Sequence, residues 1–120
     1  MQTTHLRLGE AMADVRAARL VWEEACRVLD REGPNGAQTP IEVQVALRLA
    51  AAQIVRLANS AVNTLGAAAG ASASMTSAPL QRHLRDLQVM RGHVMFDWDR
   101  TAVLAGKVEL GMPTTPADLL

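Results

Sequence analysis

The chain is predicted to be all-α: an antiparallel up-down bundle of three long helices, completed to a larger bundle by oligomerisation. Three observations carry this. Apolar residues make up 49% of the 120 positions but aromatics only 2%, so the core must come from Ala, Leu, Val and Met, which favour helices and have weak β character. Apolar positions recur at alternating steps of three and four along three long stretches, the signature of one buried helix face. Short segments rich in Gly, Pro and Ser separate those stretches, as turns require.

The first helix is expected over residues 4–31. Its stripe runs Leu8, Ala11, Met12, Val15, Ala18, Trp22, Ala25 and Leu29, with Glu10, Asp14, Glu23, Arg27 and Asp30 largely off that face. In the terminating run REGPNG, Gly33 suits a left-handed position after the helix and Pro34 forbids continuation. The second helix is expected over 40–69. TPIE at its start reads as a capping box: Thr39 as cap, Pro40 in the first helical position, Glu42 closing the box. Between Val43 and Ala69 its only charges are Arg48 and Arg56, so it belongs at the centre of an assembly, covered on more than one side.

GAAAGASASMTSAP, residues 66–79, reads as a flexible connector; it lacks the preceding strand of a phosphate loop. The third helix is expected over 79–108, with Leu80, Leu84, Leu87, Val94, Trp98, Ala102 and Ala105 on one face, stopped by Gly111 and Pro113. Residues 112–120 read as a frayed tail. The whole, 1–120, is one helical-bundle domain. Short connections make neighbouring helices antiparallel, and a nearly all-apolar central helix needs cover from a second chain, most simply a two-fold homodimer.

Twelve basic residues balance twelve acidic ones, so no global field favours nucleic acid or an anionic membrane. The single cysteine, Cys26, allows no internal disulfide and fits a reducing, cytoplasmic location. No signal-peptide core or bilayer-length apolar run is found. His5, His83 and His93 form no ligand pattern, so no metal site is expected.

The one acid/base candidate is His93 with Asp97. On a continuous helix, residues four apart are face neighbours, and a carboxylate there can fix an imidazole tautomer for proton transfer. A solvated surface pair has the same spacing. Asp86 shares the general face, and Arg82, four residues before it, makes an intrahelical ion pair that explains both without a function. Arg85 and Arg91 offer charge to a phosphate or simply to solvent.

The stretch SAPLQRHLRDLQVMRGHVMFDWDRTAVLAGKVELGMP resembles the C-terminal end of the acyl-CoA dehydrogenase superfamily, in the branch of two-component flavin-dependent monooxygenases that hydroxylate aromatic or polyketide-like substrates. The features are the PLQR…RD run from Pro79 to Asp86, the histidine beyond it, the GKVELG ending and the preceding Ala/Gly-rich stretch. The resemblance implies a helical bundle at an oligomer core. It places the PLQR…RD segment, with Arg82, Arg85 and Asp86, beside the flavin, and His93 near the reacting flavin edge. It also implies an N-terminal helical domain and a middle β-barrel domain, which carry much of the pocket and are not found in this sequence. FMN or FAD is therefore expected only with a partner chain, none with this chain alone.

Three functions follow as expectations. The chain is a stand-alone bundle serving as a subunit of a flavoprotein oxygenase or dehydrogenase complex, with a larger flavoprotein partner. Alternatively, it is a small flavin-independent acid/base enzyme, a cyclase or isomerase using His93 and Asp97 in an oligomer pocket. As a third reading, it is a non-catalytic oligomerisation scaffold.

Overall fold

The computed structural model describes residues 2–69 and 79–119; most of the expected connector lies outside them. The described residues form four α-helices, α1 (Gln2–Glu32), α2 (Ile41–Ala69), α3 (Pro79–Arg91) and α4 (Trp98–Glu109), with 3-10 turns between α1 and α2, between α3 and α4 and after α4, and without strands. The protein is all-α. It is elongated, 51 × 26 × 25 Å.

α2 packs against α1, α3 and α4, while those three make little contact with one another. Its central place follows from its composition. The buried residues Val45, Ala52, Val55, Asn59 and Ala61 all belong to it, and Ala11 of α1 and Leu104 of α4 are buried with them. α1 and α2 run antiparallel: the Ser60 hydroxyl donates to Asp14 at 2.8 Å, and toward the other end Val28 shares a groove with Ala46 and Leu47. At Gly66 a Cβ would stand 3.4 Å from Leu84 Cδ1, so the missing side chain lets α3 approach α2 closely.

Several expectations are corrected. The continuous helix over 79–108 is divided. Gly92 donates to both Gln88 O and Val89 O (3.3 and 3.2 Å) and His93 N to Met90 O; His93 and Asp97 then take extended backbone either side of the turn Val94–Phe96. The capping box at Thr39 does not form. Thr39 Oγ1 donates to Gly36 O at 2.8 Å, and Gln44 Nε2 occupies Thr39 O at 2.7 Å, so Pro40 O takes the first helical bond. The left-handed glycine after α1 is Gly36, φ +52°, rather than Gly33, because two 3-10 turns continue the chain past Glu32 before it reverses.

The C-terminal segment is pinned rather than frayed. Gly111, φ +71°, closes α4 with Gly111 N to Val108 O and Met112 N to Lys107 O, the two bonds of a Schellman motif. Beyond it, Arg100 donates to Ala117 O at 2.7 Å, and Asp118 lies 3.6 Å from Lys107 Nζ. The apolar stripe of α1 is corrected too: Ala11 is buried, but Leu8, Met12, Val15, Trp22 and Leu29 are open to solvent, because α2 packs along the neighbouring flank that carries Asp14, Val21, Ala25 and Val28.

Candidate functional site

The break between α3 and α4 matters because it turns a smooth helix face into a cleft. Gly92 lowers the local helix preference by about 1 kcal/mol relative to Ala. The two residues that leave helical backbone each find a local bond. His93 Nδ1 accepts from Met95 N at 3.1 Å, and Asp97 Oδ1 accepts from Arg100 N at 3.2 Å as the N-cap of α4. With Nδ1 accepting, the proton of a neutral imidazole sits on Nε2. The ring tilts against Phe96, centroids 5.8 Å apart.

Between this break and α2 lies a cleft of about 750 Å³. α2 contributes Val55, Arg56, Asn59 and Ser60; the break contributes Arg91, Gly92, Val94, Phe96, Asp97, Trp98 and Asp99. The Arg56 guanidinium stands 4.2 Å from the Trp98 ring centroid. Asn59 is buried, and no buried side-chain polar atom among the described residues is left unpaired. The lining thus offers two guanidinium groups, an amide and a hydroxyl beside an indole and a phenyl ring. Asp97 and Asp99 balance the two arginines. Such a surface can flank a planar ring and donate to its polar edge. Several of its groups are exposed, so the cleft is one wall of a site rather than an enclosure.

The expected residues fall in two groups. Asp97 lines the cleft, but His93 does not, although Gly92 and Val94 on either side do. His93 and Asp97 are not neighbours on one helix, since each caps its own turn. Arg82, Arg85 and Asp86 lie on α3, exposed and away from the cleft. Arg82 Nε is 3.8 Å from Asp86, the intrahelical pair that the spacing gives. Sequence reasoning missed Arg56, Asn59, Ser60 and Trp98 as lining. One signal pointed to them: Arg56 is one of only two charges between Val43 and Ala69, and an isolated charge in an apolar helix faces a polar feature. Among the described residues no three His, Cys, Asp or Glu gather as metal ligands, and no described helix is long and apolar enough to cross a membrane.

Residues 1–98 match the family model for the acyl-CoA dehydrogenase C-terminal domain. The chain is 30% identical over 114 residues to a pigment production hydroxylase of Rhodococcus sp., covering 95% of this chain and 29% of that protein. It is 32% identical over 111 residues to the oxygenase component of p-hydroxyphenylacetate 3-hydroxylase from Acinetobacter baumannii, covering 92% of this chain and 26% of that one. Its fold superposes on the crystal structure of the 3-HSA hydroxylase of Rhodococcus sp. RHA1 with a TM-score of 0.86 at 27% identity, over 98% of this chain and 30% of that structure. The chain therefore spans under a third of the length of these relatives. With most of its length matched by that family and its helices superposed on a hydroxylase, the chain belongs to the acyl-CoA dehydrogenase C-terminal domain family.

Proposed function

We propose that this chain is the C-terminal bundle of a flavin-dependent monooxygenase, working as a subunit of a flavoprotein oxygenase complex on an aromatic substrate. The observation that carries the reading is the superposition on a hydroxylase along 98% of the chain. FMN or FAD, when bound, supplies the oxygen-transferring chemistry. The residues present fit a supporting share of that site: the cleft offers a flat aromatic flank and several donors, but only one wall. This chain's part is to bind and orient. Arg82, Arg85 and Asp86, exposed on α3 outside the cleft, would meet the cofactor from that second surface in the complex. His93, outside the cleft but between its lining residues Gly92 and Val94, has Nδ1 held by Met95 N and would offer Nε2–H to the reacting groups. Asp97 acts as a positioning residue through its cap on α4.

The acid/base enzyme reading is weaker, because His93 and Asp97 are each committed to a different local cap. Localisation in the cytoplasm and assembly as a homodimer or higher oligomer belong to the same proposal.

The test is to purify the tagged chain from its own cells and record light scattering and flavin absorbance on one peak. The expected result is a complex larger than a dimer, yellow, containing a longer flavoprotein, whereas the isolated chain given excess FMN or FAD stays colourless. Recovery of the chain from cells without flavin or a second polypeptide would overturn the reading.

A further inference from the structure

Arg48 is one of the two charges that α2 carries between Val43 and Ala69, and it is half-buried. Among the described residues its guanidinium pairs with no carboxylate. The acceptor it has is the thioether of Met95, with Nη2 3.6 Å from Sδ. A thioether is a weak acceptor, so a partly desolvated cation is left short of the strong bond that would offset its burial. Met95 sits in the turn Val94–Phe96 between α3 and α4, and its backbone N–H is the donor that holds His93 Nδ1. Exposure does not single it out, since Met12, Met90 and Met112 are 63, 43 and 50% exposed and Met95 39%. Among the described methionines, however, Met95 alone has a hydrogen-bond donor on its sulfur.

We propose that Met95 is a reversible oxidation site, with hydrogen peroxide as the oxidant and Arg48 as the group that holds the product. A lone pair of Sδ attacks one peroxide oxygen. The S–O bond forms as the O–O bond breaks, the proton on the transferred oxygen passes to the departing one, and water leaves. Sulfur gives up two electrons and peroxide takes them, so the thioether becomes a sulfoxide. The new oxygen carries partial negative charge. The 3.6 Å between Nη2 and Sδ leaves room for it to stay bonded to sulfur and lie about 2.7–2.9 Å from the guanidinium, a charge-assisted hydrogen bond. Oxidation of a methionine ordinarily puts a polar atom where an apolar one packed; here it supplies the acceptor that Arg48 lacks. The turn is then fastened to α2 at Arg48 as well as through the Arg56–Trp98 contact, and His93, tied to Met95 N, is fixed with it. A methionine sulfoxide reductase reverses the step, its dithiol going to a disulfide as the oxygen leaves as water. No part of this needs flavin: a colourless chain supports the inference while the oxygenase reading keeps its own test.

The full chain is treated with hydrogen peroxide, sulfoxides are located by peptide mass spectrometry, and thermal unfolding is followed by circular dichroism. Met95→Leu treated alike subtracts the oxidation of Met12, Met90 and Met112. Met95 sulfoxide is expected in wild type, with a change in midpoint on oxidation that exceeds the control's by about 3–5 °C and is undone by the reductase. Arg48→Lys keeps a charged donor and most of the rise; Arg48→Leu loses it. As a measurement that needs no variant, the Arg48 guanidinium protons in the NMR spectrum of the wild type should exchange with solvent more slowly after oxidation. Met95 left unoxidised while Met12 and Met112 react, a midpoint that does not rise against the control, a rise that survives Arg48→Leu, or unchanged guanidinium exchange would each overturn the proposal.

Discussion

The Arg56 guanidinium lies over the Trp98 indole, 4.2 Å from its centroid, and so ties the middle of α2 to the first residue of α4 across the mouth of the cleft. The contact joins the two elements whose separation makes the cleft. With Arg56 exposed and Trp98 half-buried, the pair stabilises the fold by about 0.5–1 kcal/mol. A double-mutant cycle of Arg56→Ala and Trp98→Leu in urea unfolding should return a coupling of that size. A coupling indistinguishable from zero would mean that the two groups are merely adjacent.

Asp97 and His93 separate a structural role from a chemical one. Asp97→Ala should cost about 1 kcal/mol of stability, whereas Asp97→Ser or Asp97→Asn keeps an acceptor for Arg100 N and costs only a few tenths. His93→Asn likewise keeps an acceptor within reach of Met95 N, so its thermal unfolding should stay close to wild type. In the flavoprotein complex, both His93→Asn and His93→Ala should lose hydroxylation. Retained activity in His93→Asn would reduce His93 to a cap.

The Arg82–Asp86 pair makes an opposite prediction. At 3.8 Å, with both side chains largely exposed, it adds under about 0.5 kcal/mol, so Arg82→Ala should leave unfolding nearly unchanged. If α3 faces the cofactor, the same variant should instead lower flavin retention in the complex, measured by ultrafiltration.

The all-helical class was legible because an apolar stripe at helical period over long stretches admits no strand reading. The division at Gly92–Asp97 was not, because Leu87, Val94 and Trp98 remain in phase through it and periodicity sees only phase. The local signs were Gly92 inside the helix and Asp97 with Asp99 two residues on, a cap and an acidic first turn. The α1 stripe misled for a different reason. Apolar spacing reports a face that needs cover without saying whether the same chain provides it, and here Trp22 and Met12 face outward. The cleft residues Arg56 and Asn59 come from α2, and their meeting with Trp98 depends on a break that the pattern conceals.

Two glycines near the C-terminus should respond to alanine in opposite directions. Gly111 has φ +71°, where a Cβ is strained, and Gly111→Ala should cost about 1 kcal/mol as the helix stop is forced to rearrange. Gly106 lies within α4, and a Cβ added there would meet nothing within 4 Å. Gly106→Ala should stabilise by about 0.5–1 kcal/mol by restricting the unfolded chain. Denaturation midpoints moving in the same direction would contradict the backbone geometry at one of the two sites.

The pinned C-terminal segment carries a pH dependence of definite sign. The Thr115 backbone N–H, 2.7 Å from Asp118 Oδ2, holds the Asp118 carboxyl below its usual value, with further help from the Thr115 hydroxyl and Lys107 and against the opposing effect of partial desolvation. A depressed folded-state pKa means that the folded protein binds the proton less readily than the unfolded chain. The contribution is therefore complete above the unfolded value of about 3.9 and is lost as pH falls through the folded one. Wild type should be more stable than Asp118→Asn at neutral pH, and the difference should narrow only in the acid range below about pH 4. Hydrogen exchange at Thr115 gives the local readout, since its amide should be protected in wild type and lose protection over the same interval. An advantage over Asp118→Asn that stayed constant down to low pH would show that the carboxylate charge has no part in holding the segment.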